Sequence, residues 1–324
     1  MLNIIISVIQ YMLKKITLQQ GTSNCKIHSF QFHWQCNQIL KINFMAIKSK
    51  RMNTIIVATD FSVVAENAVE YAAAIAKNHH AKLILFNSFA LPVHAANTLL
   101  PAHSIQHMIN DNMDKLTTKA TALTEKYGIE VVPESIFSFI EDELTGLFNK
   151  HNGDILVLGM AARTTEQDLW GNTTTSAIRK LKFPVLAVPI GAVYDGIKKV
   201  LFACDELSSV PPHILARIKD LPATVEAEVE IFHVDDKLEE LKADDQNLLS
   251  VNVMNEEMDG ITYYYKNIKS NAVIKEIAKE VIAYKANLLV MIPRKHGFWS
   301  SIVHRSKTRM MAAGLDIPLL SIPV

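Results

Sequence analysis

Short apolar runs alternate with longer amphipathic stretches along residues 52–324. Five continuous apolar runs in the first part predict strands at 54–59, 82–88, 129–133, 154–158 and 185–188. Residues at helical spacing between them predict helices at 62–78, 104–127, 140–150 and 175–181. Ser62 is an N-cap type of residue, and Gly128 is typical of the position after a helix. The second part repeats the order more weakly, with strands near 198–203, 228–234, 261–265, 287–292 and 319–322.

Three segments of the first part recur in the same order in the second. Residues 55–60 and 200–205 are apolar runs that end in aspartate, and residues 154–158 match 287–291. Residues 183–189 match 317–323, where prolines flank the apolar run. Repetition in this order indicates a duplicated unit. We therefore predict one domain over 52–191, a linker that contains Gly191 and Gly196, and a second domain over 197–324.

The strand pattern predicts the fold class. Continuous apolar runs are typical of parallel strands that are buried on both faces. Alternation of strands and helices predicts a doubly wound α/β sheet. We expect two tandem, doubly wound, parallel five-stranded sheets, each with its own core.

The first 51 residues differ from the rest. They hold seven of the 33 basic residues and none of the 33 acidic ones, so residues 52–324 carry a net charge of −7 (26 basic, 33 acidic). A mildly acidic body argues against binding of nucleic acid. The apolar run 2–13 is too short to span a bilayer, and no signal-peptide pattern surrounds it. We expect residues 1–51 to be poorly ordered. The alternative is that the translation start is placed too early and that the protein begins at Met52.

Cysteine content favours a reducing compartment. Only Cys25, Cys36 and Cys204 are present, too few for a disulfide framework. His103 and His107 have the i, i+4 spacing of a zinc pair, but no HExxH or cysteine motif accompanies them, so we expect no metal site. We expect a cytoplasmic protein that does not interact with membranes.

Candidate site residues follow two strands of the first domain, because ligands of open α/β sheets bind beyond the carboxyl ends of the strands. Gly159 would allow close approach of a sugar or phosphate. Residues 171–174 open a helix whose amides and dipole favour an anion, and Asp60 is an acceptor for an amino or hydroxyl group. From the residues alone, a helix cap at Asp60 and an ordinary helix start at Gly171 are equally good interpretations. The candidates are Thr59, Asp60, Phe61, Gly159, Met160, Ala162, Arg163, Gly171, Asn172, Thr173 and Thr174.

The segment 58–62, Gly159, the run 171–174 and the closing run 183–189 together resemble the universal stress protein family, across 52–324 as two copies. The resemblance implies the adenine nucleotide alpha hydrolase-like fold. ATP-binding members carry G-x2-G-x9-G-[S/T] at this place. Here Ala162 replaces the second glycine, the spacer before Gly171 is one residue shorter, and Asn172 stands where Ser or Thr is usual.

Carried over by position, the resemblance implies an ATP site, with or without Mg²⁺. Asp60 would contact the adenine, Gly159 would line the ribose, and residues 171–174 would hold the phosphates. It also implies that the last strands of the two halves, 185–188 and 319–322, pair within one chain and imitate a dimer. A further homodimer stays open.

The second half departs further from the family pattern. Ile292 and Pro293 follow its fourth strand where the motif has glycine, although Asp205 is retained. We expect this half to keep the fold without the nucleotide site. A basic pocket for another anion is the alternative to a solvated loop, because seven basic residues lie close together: Arg294, Lys295, His296, His304, Arg305, Lys307 and Arg309.

These observations predict an ATP-binding regulatory protein of the cellular stress response. No Walker A motif, dinucleotide fingerprint or catalytic triad is recognisable, so we expect no catalytic residues and at most weak ATP hydrolysis. The alternatives are an interaction module of the same fold that binds no nucleotide and, from the enzyme class, a slow ATPase.

Overall fold

A mostly parallel sheet organises the protein. The computed structural model describes residues 52–89, 102–137, 140–160, 181–204, 227–235, 262–292 and 316–323, with a few single positions between them. The described strands are β1 (Thr54–Ala58), β2 (Lys82–Phe89), β3 (Val131–Phe137), β4 (Ile155–Met160), β5 (Val185–Pro189), β6 (Lys199–Cys204), β7 (Glu228–Asp235), β8 (Thr262–Lys269), β9 (Leu288–Met291) and β10 (Leu319–Ser321). The described helices are α1 (Val63–His79), α2 (Ala102–Tyr127), α3 (Ile140–His151) and α4 (Val273–Tyr284).

The strands form one ten-stranded sheet in the order β3-β2-β1-β4-β5-β10-β9-β6-β7-β8. Each half contributes five strands. Counted along the chain within its half, the third strand lies at the outer edge, followed inwards by the second, first, fourth and fifth. Strand pairs within each half are parallel, whereas β5 and β10 are antiparallel, with Leu186 opposite Leu320. The α/β class is confirmed, and so is the pairing of the last strands. The two expected sheets are one continuous sheet, because this pairing joins them.

Buried side chains fill both faces of the sheet. Ile55 and Val57 of β1 belong to the cluster that contains α1 and α2, whereas Ile56 and Ala58 belong to the cluster that contains α3 and α4. Successive residues of a strand point to opposite faces, so a strand covered by helices on both faces is apolar at most of its positions. The continuous runs of the sequence have this physical origin.

Helix α1 begins and ends as its sequence predicts. The Ser62 side chain accepts a hydrogen bond from the Ala65 amide at 3.2 Å and caps the helix. The helix is followed by His80, whose left-handed backbone (φ 54°) lets its amide reach the carbonyls of the last turn. The exposed loop that precedes α1 is thereby held in a defined position.

The two edge strands differ from their predicted bounds. Strand β3 begins at Val131 and extends to Phe137 because it pairs with β2 along its whole length. Pro133 lies within it, which an edge strand tolerates because one side of its backbone is unpaired. Strand β8 extends to Lys269 opposite Asp235 and is largely exposed, not apolar and buried.

The two halves share hydrogen bonds as well as strand order. The carboxylate of Asp154, before β4, accepts hydrogen bonds from two backbone amides at the start of β1, at 2.8 and 3.1 Å. The amide oxygen of Asn287, before β9, accepts from the two amides at the start of β6, at 3.1 and 3.0 Å. Each of these residues lies two positions beyond a left-handed residue, Asn152 or Lys285, that directly follows a helix. The matched sequence segments therefore make matched contacts.

Candidate functional site

The site candidates of β1 and β4 lie side by side. Strand order reverses between these two strands, and such a switch point opens a crevice beyond the carboxyl ends of the strands. Val57 is in register with Val157, and the same register continued two residues further sets Thr59 beside Gly159. The fold therefore brings together two segments that are 100 residues apart in sequence.

The loop after β1 is held by its own side chains. Thr59 is 4% exposed, and its hydroxyl oxygen accepts a hydrogen bond from the Phe61 amide at 2.9 Å. The Asp60 carboxylate accepts one from the Ser62 amide at 2.9 Å and is exposed. Phe61 adopts a left-handed conformation (φ 63°), and its side chain is 37% exposed. Because Ser62 caps α1, the interpretation of Asp60 as the helix cap is wrong.

Gly159 lies where helix α1 approaches β4. A Cβ atom at this position would lie 2.8 Å from the Val64 carbonyl oxygen and 2.9 Å from its Cγ1. Glycine is therefore required by packing at this position, whether or not a ligand approaches it. The next residue, Met160, is buried, and its carbonyl accepts a hydrogen bond from the Ile190 amide at 3.3 Å.

Two side-chain amides behind the loop, one buried and one partly buried, are functional candidates that the sequence analysis missed. Asn87 of β2 is 4% exposed and donates a hydrogen bond from Nδ2 to the Thr59 carbonyl at 2.6 Å. Asn112 of α2 donates to Asn87 Oδ1 and to Ser135 Oγ of β3, both at 2.7 Å. The available signal was Asn87 itself, an amide that interrupts the apolar run of 82–88.

A second contact joins the loop to α2 through helix α1. The Thr59 hydroxyl donates to Glu66 Oε1 at 3.3 Å, and Glu66 forms an ion pair with Lys119 of α2. One turn further along α1, Glu70 pairs with Lys126 at 2.8 Å and accepts a hydrogen bond from the Tyr127 hydroxyl at 2.6 Å. Polar contacts therefore join α1 to α2 at two successive turns of α1.

In the second half, buried apolar residues occupy the corresponding strand ends. Cys204 and Met291 end β6 and β9, and both are buried. Ile292, which matches Gly159 in the repeat, is also buried. No close approach like that of Val64 to Gly159 is possible at a position with a branched side chain.

The remaining candidates lie outside the described residues. They are Ala162, Arg163, Gly171, Asn172, Thr173 and Thr174 of the first half, and Asp205, Pro293 and the basic residues of 294–309 in the second. The interpretation of residues 1–51 also lies outside them.

Two further findings concern metals and membranes. His107 pairs with Asp111 at 2.9 Å, and no group of three His, Cys, Asp or Glu side chains within the described ranges is arranged to hold a metal ion. Among the helices that the structure describes, none combines the length and the apolar character needed to cross a membrane.

Comparison with solved structures identifies the fold. A universal stress protein from Archaeoglobus fulgidus DSM 4304 is 16% identical, has a TM-score of 0.60, and matches 84% of this chain and 97% of its own. A functionally unknown protein from Pseudomonas aeruginosa PAO1 is 12% identical, with a TM-score of 0.50 over 85% of this chain and 94% of its own. At such identities the likeness shows the fold alone, which is the α/β fold of universal stress proteins.

A family model matches the first half of the chain. The model of the Universal stress protein family matches residues 52–189, so the first half carries a domain of that family. No curated protein matches the sequence.

Proposed function

We propose that this protein binds ATP in its first half and acts as a regulator in the cellular stress response. The observation that carries the proposal is the exposed carboxylate of Asp60, held by Ser62 beside the end of β4 at the switch point. A carboxylate at this place is a suitable acceptor for the amino group of an adenine or for a ribose hydroxyl.

The described residues support one side of the proposed site. The backbone around Asp60 is held by the loop's own side chains, because the Phe61 and Ser62 amides donate hydrogen bonds to Thr59 and Asp60. The half-exposed ring of Phe61 adds an apolar surface next to this acceptor. By the family pattern, Gly171 to Thr174 would hold the phosphates, with or without Mg²⁺, and Ala162 and Arg163 would lie between the two parts.

The proposal assigns a regulatory role and not that of a dedicated enzyme. The segment 171–176 contains only Gly, Asn, Thr and Ser, so it offers donors to phosphate but no base that would activate water. We further propose that the second half is a diverged copy without a nucleotide and that the protein is cytoplasmic.

One observation favours a second candidate, an interaction module that binds no nucleotide. Packing against Val64 explains Gly159 without any ligand, so this glycine by itself does not argue for a nucleotide. The two candidates differ in what the purified protein carries.

Mass spectrometry of the small molecules released from the denatured, purified protein separates the two. We expect an adenine nucleotide from the wild type, or uptake of ATP after incubation and desalting. The Asp60→Ala and Gly171→Val variants should release much less. If the wild type neither releases nor retains a nucleotide, the interaction module replaces the ATP-binding protein.

A further inference from the structure

The Thr59 carbonyl is bound by a side chain that crosses from the neighbouring strand. Asn87 Nδ2 lies 2.6 Å from it, and both residues are almost fully buried. This carbonyl belongs to the peptide that leads into Asp60, so its orientation fixes the direction in which the chain leaves the sheet. A buried hydrogen bond at such a place is costly to break, because the freed groups find no water.

Asn87 is itself oriented by helix α2. Its Oδ1 accepts a hydrogen bond from Asn112, which also donates to Ser135. Since Oδ1 is occupied as an acceptor, Nδ2 must face Thr59, and the amide has a single productive orientation. We name Asn112, Asn87 and the Thr59 carbonyl the amide relay.

The second half uses a different side chain for the same contact. His233 Nδ1 of β7 donates a hydrogen bond to the Cys204 carbonyl at 3.0 Å, and Cys204 matches Thr59 in the repeat. The recurrence with an unrelated side chain indicates that the carbonyl, and not the identity of the donor, is what the fold requires at this position.

We propose that Asn87 and Asn112 are positioning residues of the candidate nucleotide site, which set the direction of Asp60 and Phe61 through the Thr59 carbonyl. The inference rests on the proposed function for the identity of the ligand. Asn87 and Asn112 act on the affinity through the loop, because their side chains hold the Thr59 carbonyl and not Asp60 or Phe61 themselves. A loop fixed before binding loses less entropy when the ligand binds.

Four variants of the full chain test the relay. Asn87→Ala and Asn112→Ala interrupt it, and Asn87→His installs the donor that the second half uses. Tyr127→Phe is the matched control, because it removes a hydrogen bond between α2 and Glu70 further from the loop. Asn112 is only partly buried, so its variant remains informative if Asn87→Ala does not fold.

The first readout is hydrogen exchange of the Phe61 and Ser62 amides without nucleotide. We expect exchange to be faster by roughly tenfold in the two alanine variants and unchanged in Asn87→His and Tyr127→Phe. The second readout is the Kd for ATP, which should rise roughly tenfold in the alanine variants and stay near the wild-type value in the other two.

Wild-type exchange and affinity in Asn87→Ala would overturn the proposal. Equal losses in Asn87→His and Asn87→Ala would do so too, since the carbonyl contact would then not be the cause. If the wild type binds no ATP, the proposed function fails and the relay loses its nucleotide role. That failure is recognisable because exchange at Phe61 and Ser62 would still respond to the alanine variants.

Discussion

Gly159 is required for packing at the place where the sequence indicated a ligand. The Val64 carbonyl occupies the space that a side chain would need, so any Cβ atom forces α1 away from β4. This contact holds the start of α1, and with it the loop of Asp60, against the sheet. The same glycine therefore shapes the candidate site even if no ligand atom touches it.

Gly159→Ala should lower the free energy of unfolding by about 1–3 kcal/mol, the cost that is typical of overpacking. Chemical denaturation monitored by circular dichroism measures it. Gly146→Ala is the control, because Gly146 lies exposed in α3 and a Cβ atom there has no neighbour within 4 Å. That change should raise stability by about 0.5–1 kcal/mol, since alanine favours a helix. Equal effects at both positions would contradict the packing account.

At the scale of residues, the sequence identified candidate site residues but not the residues that contact them. Asp60 and Gly159 were recognisable because they follow apolar runs that predict strands. Asn87 was not, since its partners Thr59 and Asn112 are distant in sequence and become neighbours only through strand order and the position of α2. An amide side chain within an otherwise apolar run is the sequence signal for such a residue.

At the scale of elements, the positions of strands were predicted correctly where both faces of the strand are buried, because burial then requires apolar residues. Strands inside the sheet are apolar at most of their buried positions, and their locations agree with the sequence pattern. Edge strands have a side that faces solvent, where polar residues and Pro133 are tolerated. The apolar pattern is therefore incomplete, and the predicted bounds of β3 and β8 were wrong. Their length is set by the neighbouring strand and not by their own residues.

In the second half, a buried carboxylate of helix α4 lies next to a buried carboxylate of β7. Glu230 of β7 and Glu280 of α4 are 8% and 5% exposed, and Lys266 of β8 pairs with Glu280 at 2.6 Å. Burial, together with the neighbouring Glu280, raises the pKa of Glu230 to about 7, although Lys266 and Lys199 of β6 act in the opposite direction.

Stability should therefore fall as the pH rises from about 4.5 to about 7 and then level off, because the folded protein holds a proton that the unfolded chain has released. Thermal unfolding across this range measures the slope. Glu230→Gln should flatten it and raise the stability at pH 7.5. Glu228→Gln removes a partly exposed partner of Lys199 and should leave the slope intact. A wild-type slope in Glu230→Gln would refute the assignment.

At the scale of the whole molecule, one antiparallel strand pair joins the two halves. Strands β5 and β10 are fully buried, and their pairing makes a single sheet from two identical strand orders. The repeat in the sequence predicted the two orders, and the family resemblance implied this pairing. Nothing in the residues of β5 alone identifies its partner, because any apolar strand of similar length satisfies the same hydrogen bonds.

A chain shortened to end at residue 196 should self-associate, because it exposes the buried edge of β5 that β10 covers in the full protein. Light scattering after size exclusion is expected to show a dimer for the shortened chain. A monomeric shortened chain would show that β5 does not pair in this way.

The central claim is that only the first half binds a nucleotide, and the stoichiometry of ATP binding tests it most directly. Isothermal titration of the full chain should give one ATP per chain. Asp60→Ala should abolish the heat of binding, and the matched change Asp205→Ala in the second half should leave it unchanged. Two equivalents of ATP, or binding that survives Asp60→Ala and is lost in Asp205→Ala, would contradict the account.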